Sequence, residues 1–273
     1  MRPSTSLILA STLLAATVGP TRGDDPQSPT DKLVATTPEA RARFDALIAA
    51  YRALPAYADQ GTVTVVTRLN DKEARQVQKA SVAFVRPDRL AVATDLVRVV
   101  ADGSTVTEVN VPLRKYRQYP SPRPFREAML RGGPLGSIEF GGMAGLPLAH
   151  VLNLTIGHEP ERLVEDFAPR LVVEPDREVG GVSYRVLRFD EADNHDWRFL
   201  IDPRTGLIAH VDLAIEGDAA RASVAGPGVH VASIRWSAGP ISTTPPDPST
   251  FQFEAPQGFT AVAPLDAPRP AEK

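Results

Sequence analysis

The chain of 273 residues contains no cysteine. This absence excludes disulfide bonds, thiol catalysis and metal sites built on thiolates. It also excludes the acylated cysteine that tethers a bacterial lipoprotein to its membrane. We therefore expect the protein to diffuse freely once any leader has been removed.

Long apolar runs are scarce as well. One runs from Leu7 to Val18, between the charged Arg2 and the small residue Gly23. It is too short to span a bilayer as a helix, and no later segment approaches the ~20 apolar residues required. The pattern predicts a secretory signal peptide over residues 1–23. We expect an exported, periplasmic protein with no membrane-spanning segment.

An excess of positive charge is also missing, since the formal net charge is −3. Removal of residues 1–23 takes away two arginines and no acidic residue, which brings the charge near −5. Such a surface does not attract nucleic acid or an anionic membrane through its long-range field. We expect neither among the partners.

Recognisable reactive motifs are absent too. The five histidines form no His-x-x-x-His or His-Glu-x-x-His pair,. The acidic run over residues 190–196 lacks the spaced oxygens and the glycine of a calcium loop. The glycine-rich segments match neither a Walker loop nor a dinucleotide fingerprint, and no Gly-x-Ser-x-Gly elbow occurs. A carboxylate pair for glycoside hydrolysis stays open, because its separation is a three-dimensional property. The sequence favours no enzyme, no cofactor and no metal.

An amphipathic helix is predicted near the start of the mature chain. Thr37 is a suitable N-cap, Pro38 fits the first turn, and Pro55 ends the helix. Apolar side chains between them recur at helical spacing on one face. That face is expected to cover an apolar surface. Its residues are Phe44, Leu47, Ile48, Tyr51 and Leu54.

Alternating apolar and polar residues then predict a series of strands joined by tight turns. Asp102-Gly103 indicates a hairpin, and the segment 202–206 indicates a turn in which proline and glycine set the reversal. Together these patterns predict an antiparallel sheet. The predicted strands are 62–69, 80–86, a short one at 90–92, 97–101, 105–111, 115–119, 183–190, 197–202, 207–216, 229–236 and 251–254.

The segment between the two runs of strands differs in kind. Phe125, Met129 and Leu130 predict one short helix, and Leu148 and Leu152 belong to a second. Glycine-rich stretches and Met143 lie between them. Methionine and glycine suit a surface that repacks around variable apolar partners, although filling of gaps in a core is the simpler explanation for two methionines.

Several of these segments resemble, in order and spacing, the LolA-like superfamily of periplasmic lipoprotein carriers, specifically an uncharacterised exported branch. The resemblance implies an α+β fold, a strongly curved antiparallel sheet or open half-barrel whose concave face is covered by helices and holds lipid. It also implies one domain over 37–262 with a helical lid insertion at about 124–156. Composition predicts a polar, proline-bearing linker over 24–36 and a disordered tail rich in proline and charge over 263–273. The matching segments are the helix ending near Tyr51, then 85–90, 99–103, the apolar insertion, 205–208 and 251–259.

Arg86 falls immediately before Pro87 in the segment 85–90. Its simplest role is that of a surface guanidinium beside a turn. The alternative is a set of donors that binds backbone carbonyls of a covering helix or loop. The resemblance implies the second role, because an arginine at this position of the carrier latches the helical lid.

Three hypotheses for function follow. The first is a soluble carrier or chaperone that binds a lipid, an acyl chain or a lipidated protein and acts as a monomer. The second is a non-enzymatic periplasmic sensor or partner-binding module with a filled core, and the third is an exported hydrolase. Under the first, Arg86 holds the closed form. The cavity would be lined by Val63, Val65, Val82, Phe84, Leu90, Val92, Val97, Val99, Phe125, Met129, Leu130, Met143, Leu148 and Leu152.

Overall fold

A computed structural model describes residues 36–69, 72–123, 125, 146–156, 170–190, 195–215 and 229–262. Helix α1 is Pro38–Ala53, and Thr37 caps it by accepting a hydrogen bond from the Ala40 N–H at 3.1 Å. Helix α2 is Leu146–Ile156. The cap satisfies one of the N–H groups that the first helical turn leaves without a partner. The predicted helix at 37–55 is thus confirmed.

Within these ranges, twelve strands form one open sheet in the order β12-β6-β5-β4-β3-β2-β1-β11-β10-β9-β8-β7. All neighbouring pairs are antiparallel except β12 and β6, which are parallel. The predicted α+β class, with a mostly antiparallel sheet and helices on it, is confirmed. The strands are β1 Ala56–Leu69, β2 Lys72–Val85, β3 Arg89–Thr94, β4 Val97–Asp102, β5 Thr105–Asn110, β6 Lys115–Pro120, β7 Arg170–Val179, β8 Val182–Asp190, β9 His195–Ile201, β10 Ile208–Ile215, β11 Val229–Ser237 and β12 Thr260–Ala261.

The sheet has an inner face, defined here as the side that α1 and α2 cover, and an opposite outer face. Val106 of β5 and Leu171 of β7 belong to one cluster of buried side chains that also contains both helices. These strands are the first and last of ten neighbours in the sheet. Ten flat strands would extend roughly 45 Å, against ~10 Å for the diameter of a helix. The sheet must therefore curl around its helices, which makes the inner face concave.

The C-terminal segment crosses the outer face, and here one sequence prediction was wrong. Residues 251–254 do not form a strand, because a 3₁₀ turn occupies Pro248–Phe251 and Asp247 caps it through the Ser249 N–H at 2.8 Å. Phe251 is buried in a small outer cluster with Ala56, Ala83 and Val85. The chain then reaches the sheet edge and pairs with β6.

Gly61 marks a close approach between β1 and β11. A Cβ atom at this position would lie 2.3 Å from the backbone oxygen of Ser237. Gly61→Ala is therefore expected to lower the free energy of unfolding by roughly 2–4 kcal/mol, since the two strands must separate. Urea denaturation measures this change. Gly180→Ala is the control, because nothing lies within 4 Å of its Cβ position. Its φ of +60° is unfavourable for alanine, which is expected to lower the free energy of unfolding by about 1 kcal/mol. Equal losses in both variants would contradict the close approach.

Candidate functional site

The inner face of β1 to β4 is largely apolar. Directly paired residues of adjacent strands lie on the same face of the sheet, so that Val82 lies opposite Val92 and Val92 opposite Val99. Such alternation is the expected result of a two-residue period. All eight strand residues predicted to line a cavity belong to the main buried cluster and are at most 9% exposed. They are Val63, Val65, Val82, Phe84, Leu90, Val92, Val97 and Val99.

The cover over this surface comes from both helices. Phe44, Leu47 and Tyr51 of α1 and Leu148 and Leu152 of α2 are at most 2% exposed within the same cluster. Phe125, also predicted to line the cavity, is 9% exposed and belongs to the cluster. The remaining three predicted residues, Met129, Leu130 and Met143, lie outside the described residues.

Arg86 joins both helices to the sheet. Its Nε donates to the Leu54 carbonyl at 2.8 Å, and its Nη2 donates to the Tyr51 carbonyl at 3.1 Å and the Thr155 carbonyl at 3.3 Å. Tyr51 and Leu54 end α1, whereas Thr155 ends α2. The last carbonyls of a helix have no partner within it, and the negative end of the helix dipole favours a cation there. One guanidinium thus serves two helix ends at once.

The position of Arg86 follows from the strand that precedes it. Its N–H donates to the Pro55 carbonyl at 3.0 Å, which continues the pairing of β2 with β1 beyond Val85. Its guanidinium carbon lies 5.0 Å from the centre of the Phe84 ring. A cation over an aromatic face is attracted by the ring quadrupole. The strand and the ring together direct the side chain towards the helix ends.

A buried polar cluster, which the sequence analysis did not single out, interrupts the apolar inner face. Tyr57 and Asp59 lie on β1 and Trp236 on the neighbouring β11, at 0%, 4% and 0% exposure. Neither Asp59 carboxyl oxygen, nor the Tyr57 hydroxyl, nor the Trp236 Nε1 has a hydrogen-bond partner among the described residues. Buried polar groups are ordinarily paired. Four unpartnered atoms on adjacent strands therefore call for an explanation.

Burial raises the pKa of Asp59 to about 7. The Tyr57 hydroxyl and the Gly61 N–H lie near enough to lower this pKa in part, although neither reaches full hydrogen-bond geometry with the carboxyl. Burial also raises the pKa of Tyr57, and Asp59 adds to that increase. Asp59 and Val63 are four residues apart on one strand, so the sequence could have placed this carboxyl on the inner face. The sequence alone does not show that the carboxyl lacks a partner.

A second polar group on the inner face is fully paired. Glu108 of β5 accepts hydrogen bonds from Arg117 Nε at 2.6 Å and from the Tyr119 hydroxyl at 2.5 Å, both on β6. Burial and the bond to Glu108 raise the pKa of Tyr119. Because each member has its partner, we interpret this group as a structural link between β5 and β6.

The outer face carries a charged groove of about 690 Å³ that is lined by residues of β1, β2 and β7 to β11. Arg235 donates to both carboxylate oxygens of Asp212 at 2.5 and 2.6 Å, and Arg177 donates to the same carboxylate at 3.0 Å. Arg198 donates to Glu174 at 3.0 Å. These bonds connect β7, β9, β10 and β11 on the side away from the helices.

The described histidines, aspartates and glutamates include no group of three that could hold a metal ion. His150 of α2 is packed against Trp197 and Phe199, with ring centres 4.3 and 5.5 Å away. Burial lowers its pKa to about 4. At neutral pH this histidine is therefore an uncharged part of the core.

No helix in the described ranges is long and apolar enough to cross a membrane.

Comparison with known proteins finds no matching family model and no matching curated protein. Solved structures do match. A MucA/MucB complex from Pseudomonas aeruginosa has 16% identity, covers 80% of this chain and 62% of that chain, and has a TM-score of 0.35. The chain spans between 60% and 64% of the length of the MucB structures that it matches.

Two further matches cover nearly all of the other protein. An uncharacterised conserved protein from Thermus thermophilus has 10% identity, covers 83% of this chain and 99% of that chain, and has a TM-score of 0.41. A LolA superfamily protein from Nitrosomonas europaea has 8% identity, covers 78% and 97%, and has a TM-score of 0.30. The LolA superfamily, which the sequence resembles, is thus represented among the solved structures that this chain matches.

Proposed function

We propose that this protein is a periplasmic carrier or chaperone that binds a lipid, an acyl chain or the lipid of a lipidated protein against its inner face. The observation that carries the proposal is the way in which helices α1 and α2 are attached to the sheet. Two helices lie over the apolar lining of β1 to β4, and at one edge both are joined to the sheet by the side chain of Arg86. Breaking the contacts of one residue would free both helix ends together.

The energetics of an acyl chain fit this surface. Burial of apolar area contributes ~25 cal/mol per Å², so a chain that buries several hundred Å² gains several kcal/mol. The inner side chains of β1 to β4 are all aliphatic or aromatic where the predicted lining lies. A flexible apolar ligand can replace contacts that the helices now make without leaving polar groups unpaired.

A partner-binding module with a filled core is the alternative, and the burial of the inner face favours it. Val63, Leu90, Val92 and Val99 are 0% exposed under the present cover. In such a module the same contacts would be permanent, and no lipid would enter. The two proposals therefore differ in whether the apolar face can be reached by a ligand.

Fluorescent acyl probe binding separates these proposals. Delipidated protein is expected to bind the probe, and a natural fatty acid is expected to displace it. Val92→Phe, on the inner face, is expected to weaken binding roughly tenfold because the larger ring takes space from the chain. Ala93→Phe is the matched control, since the neighbouring residue lies on the outer face.

Circular dichroism would show that both variants remain folded. Absence of probe binding by the wild-type protein would favour the filled module. Equal weakening by the inner and outer substitutions would contradict the assignment of the inner face as the binding surface.

A further inference from the structure

The unpartnered polar cluster around Asp59 forms a compact arrangement. A Cβ atom built on Gly61 would lie 3.0 Å from Trp236 Nε1 and 3.2 Å from Asp59 Oδ1. The indole nitrogen and the carboxyl oxygen thus converge over the backbone of a residue that has no side chain. Tyr57 is two residues before Asp59 on the same face of β1, and burial of both residues is at least nine-tenths complete.

Aromatic residues lie near the carboxyl. Tyr51 of α1 lies with its ring centre 6.1 Å from that of Tyr57. The Tyr51 hydroxyl accepts a hydrogen bond from the Ile208 N–H at 3.2 Å. In the described part of the chain no arginine, lysine or histidine pairs with Asp59. The carboxyl is therefore an acceptor among aromatic groups, with no cation supplied by the protein.

We propose that Asp59 and Tyr57, beside the indole of Trp236, form a polar subsite in the inner face that receives the ammonium group of a cationic amphiphile. This inference rests on the proposed function, because the chain of the amphiphile would lie along the apolar surface. An ammonium has three donors and no acceptor, so it complements two carboxylate oxygens and a hydroxyl oxygen. It is also attracted by aromatic faces. A buried carboxylate that gains this partner no longer carries an unpaired charge.

Access to the subsite is linked to Arg86. The ring of Tyr51 lies beside that of Tyr57, while the carbonyl of Tyr51 accepts a hydrogen bond from Arg86 at 3.1 Å. Release of that bond would let the end of α1 move and uncover Asp59. The other titratable groups that face Asp59 are the hydroxyls of Tyr51 and Tyr57, whose pKa values burial raises above their ordinary range.

The test uses three ligands with the same ten-carbon chain and different heads, namely decylamine, decanol and decanoate. Each is titrated calorimetrically into the delipidated full chain at pH 8, below its micelle concentration. The wild-type protein is expected to prefer decylamine over decanol by about ten- to a hundredfold, the usual value of a charge-assisted hydrogen bond. Decanoate is expected to bind weakest. The preference is expected to shrink at pH 5.5 as Asp59 becomes protonated.

Asp59→Asn keeps the shape of the side chain and is expected to remove the preference for decylamine. Asp45→Asn is the control, because Asp45 is an exposed carboxylate of α1 that pairs with Arg41 at 2.9 Å. It is expected to keep the wild-type preference. Equal binding of the three ligands, or a preference that survives in Asp59→Asn, would overturn the subsite while leaving the proposed function intact. Failure of all three ligands to bind would overturn both.

Discussion

Replacing Asp59 with asparagine is expected to raise the free energy of unfolding by about 4 kcal/mol at pH 8 and by far less at pH 4. The carboxyl has a pKa of about 7 in the folded protein, against a reference value of 3.8. Between these values the folded state holds a proton that the unfolded state has lost. The wild-type protein therefore loses stability as the pH rises from about 4 to 7, and it regains none above that range.

Urea denaturation of both proteins at several pH values measures this effect. Other groups titrate equally in the two proteins, so the difference between them isolates Asp59. Asp45→Asn, on the exposed surface of α1, is the control and is expected to follow the wild-type curve. A difference between wild type and Asp59→Asn that stays constant from pH 4 to 8 would show that this carboxyl has an ordinary pKa.

Arg86→Leu is expected to accelerate release of a bound acyl probe tenfold or more and to lower the free energy of unfolding by roughly 2–3 kcal/mol. The substitution removes hydrogen bonds to the carbonyls of Tyr51, Leu54 and Thr155. A hydrogen bond from a charged donor contributes about 1.5–3 kcal/mol, but solvent reaches this partly buried site and the three bonds share one side chain. The helix ends then open more often.

Stopped-flow displacement of the probe measures the release rate. Arg86→Lys keeps the charge but loses the planar set of donors, so its rate is expected between those of wild type and Arg86→Leu. Arg41→Leu, an exposed change on α1, is expected to leave the rate unchanged. A release rate that stays at the wild-type value in Arg86→Leu, despite lower stability, would assign this arginine a purely structural role.

These two variants affect the same helix end from opposite sides. Tyr51 lies beside Tyr57 of the cluster through its ring and binds Arg86 through its carbonyl. Ionisation of Asp59 adds an unpaired charge beneath α1 and destabilises the covered state. Arg86 stabilises that state through its hydrogen bonds to the end of α1. The balance between them is expected to set how readily the inner face opens near neutral pH.

Much of the fold could be predicted because short-range rules decide it. The hairpin at Asp102-Gly103 forms as expected: Gly103 has a φ of +98°, and the Asp102 carboxylate accepts from the Ser104 and Thr105 N–H groups at 2.7 and 2.8 Å. The helix cap at Thr37 is likewise local. Such features depend on neighbouring residues, which a sequence displays directly.

The errors arose where a longer-range partner decides the structure. The edge strand β7 was missed because Pro175 and several charged residues interrupt its alternation, as edge strands tolerate,. Residues 251–254 alternate like a strand, but packing of Phe251 on the outer face and the cap from Asp247 produce a 3₁₀ turn.

The candidate site was predicted only in part, because some of its features depend on partners that are distant in the sequence. The apolar lining follows from alternation, and Arg86 was selected through the family resemblance. The cluster around Asp59 requires β11 to bring Trp236 beside β1, a pairing over more than 170 residues of chain. Nothing local to Asp59 shows that this carboxyl has no partner.

Native mass spectrometry of the protein, isolated under mild conditions, tests the central claim most directly. The account predicts a species with the mass of the chain plus that of a lipid, and loss of the added mass on denaturation. Arg86→Leu is expected to carry less lipid than wild type. A wild-type protein found only at the bare chain mass, with no lipid gained when acyl ligands are supplied, would contradict a carrier that binds lipid on its inner face.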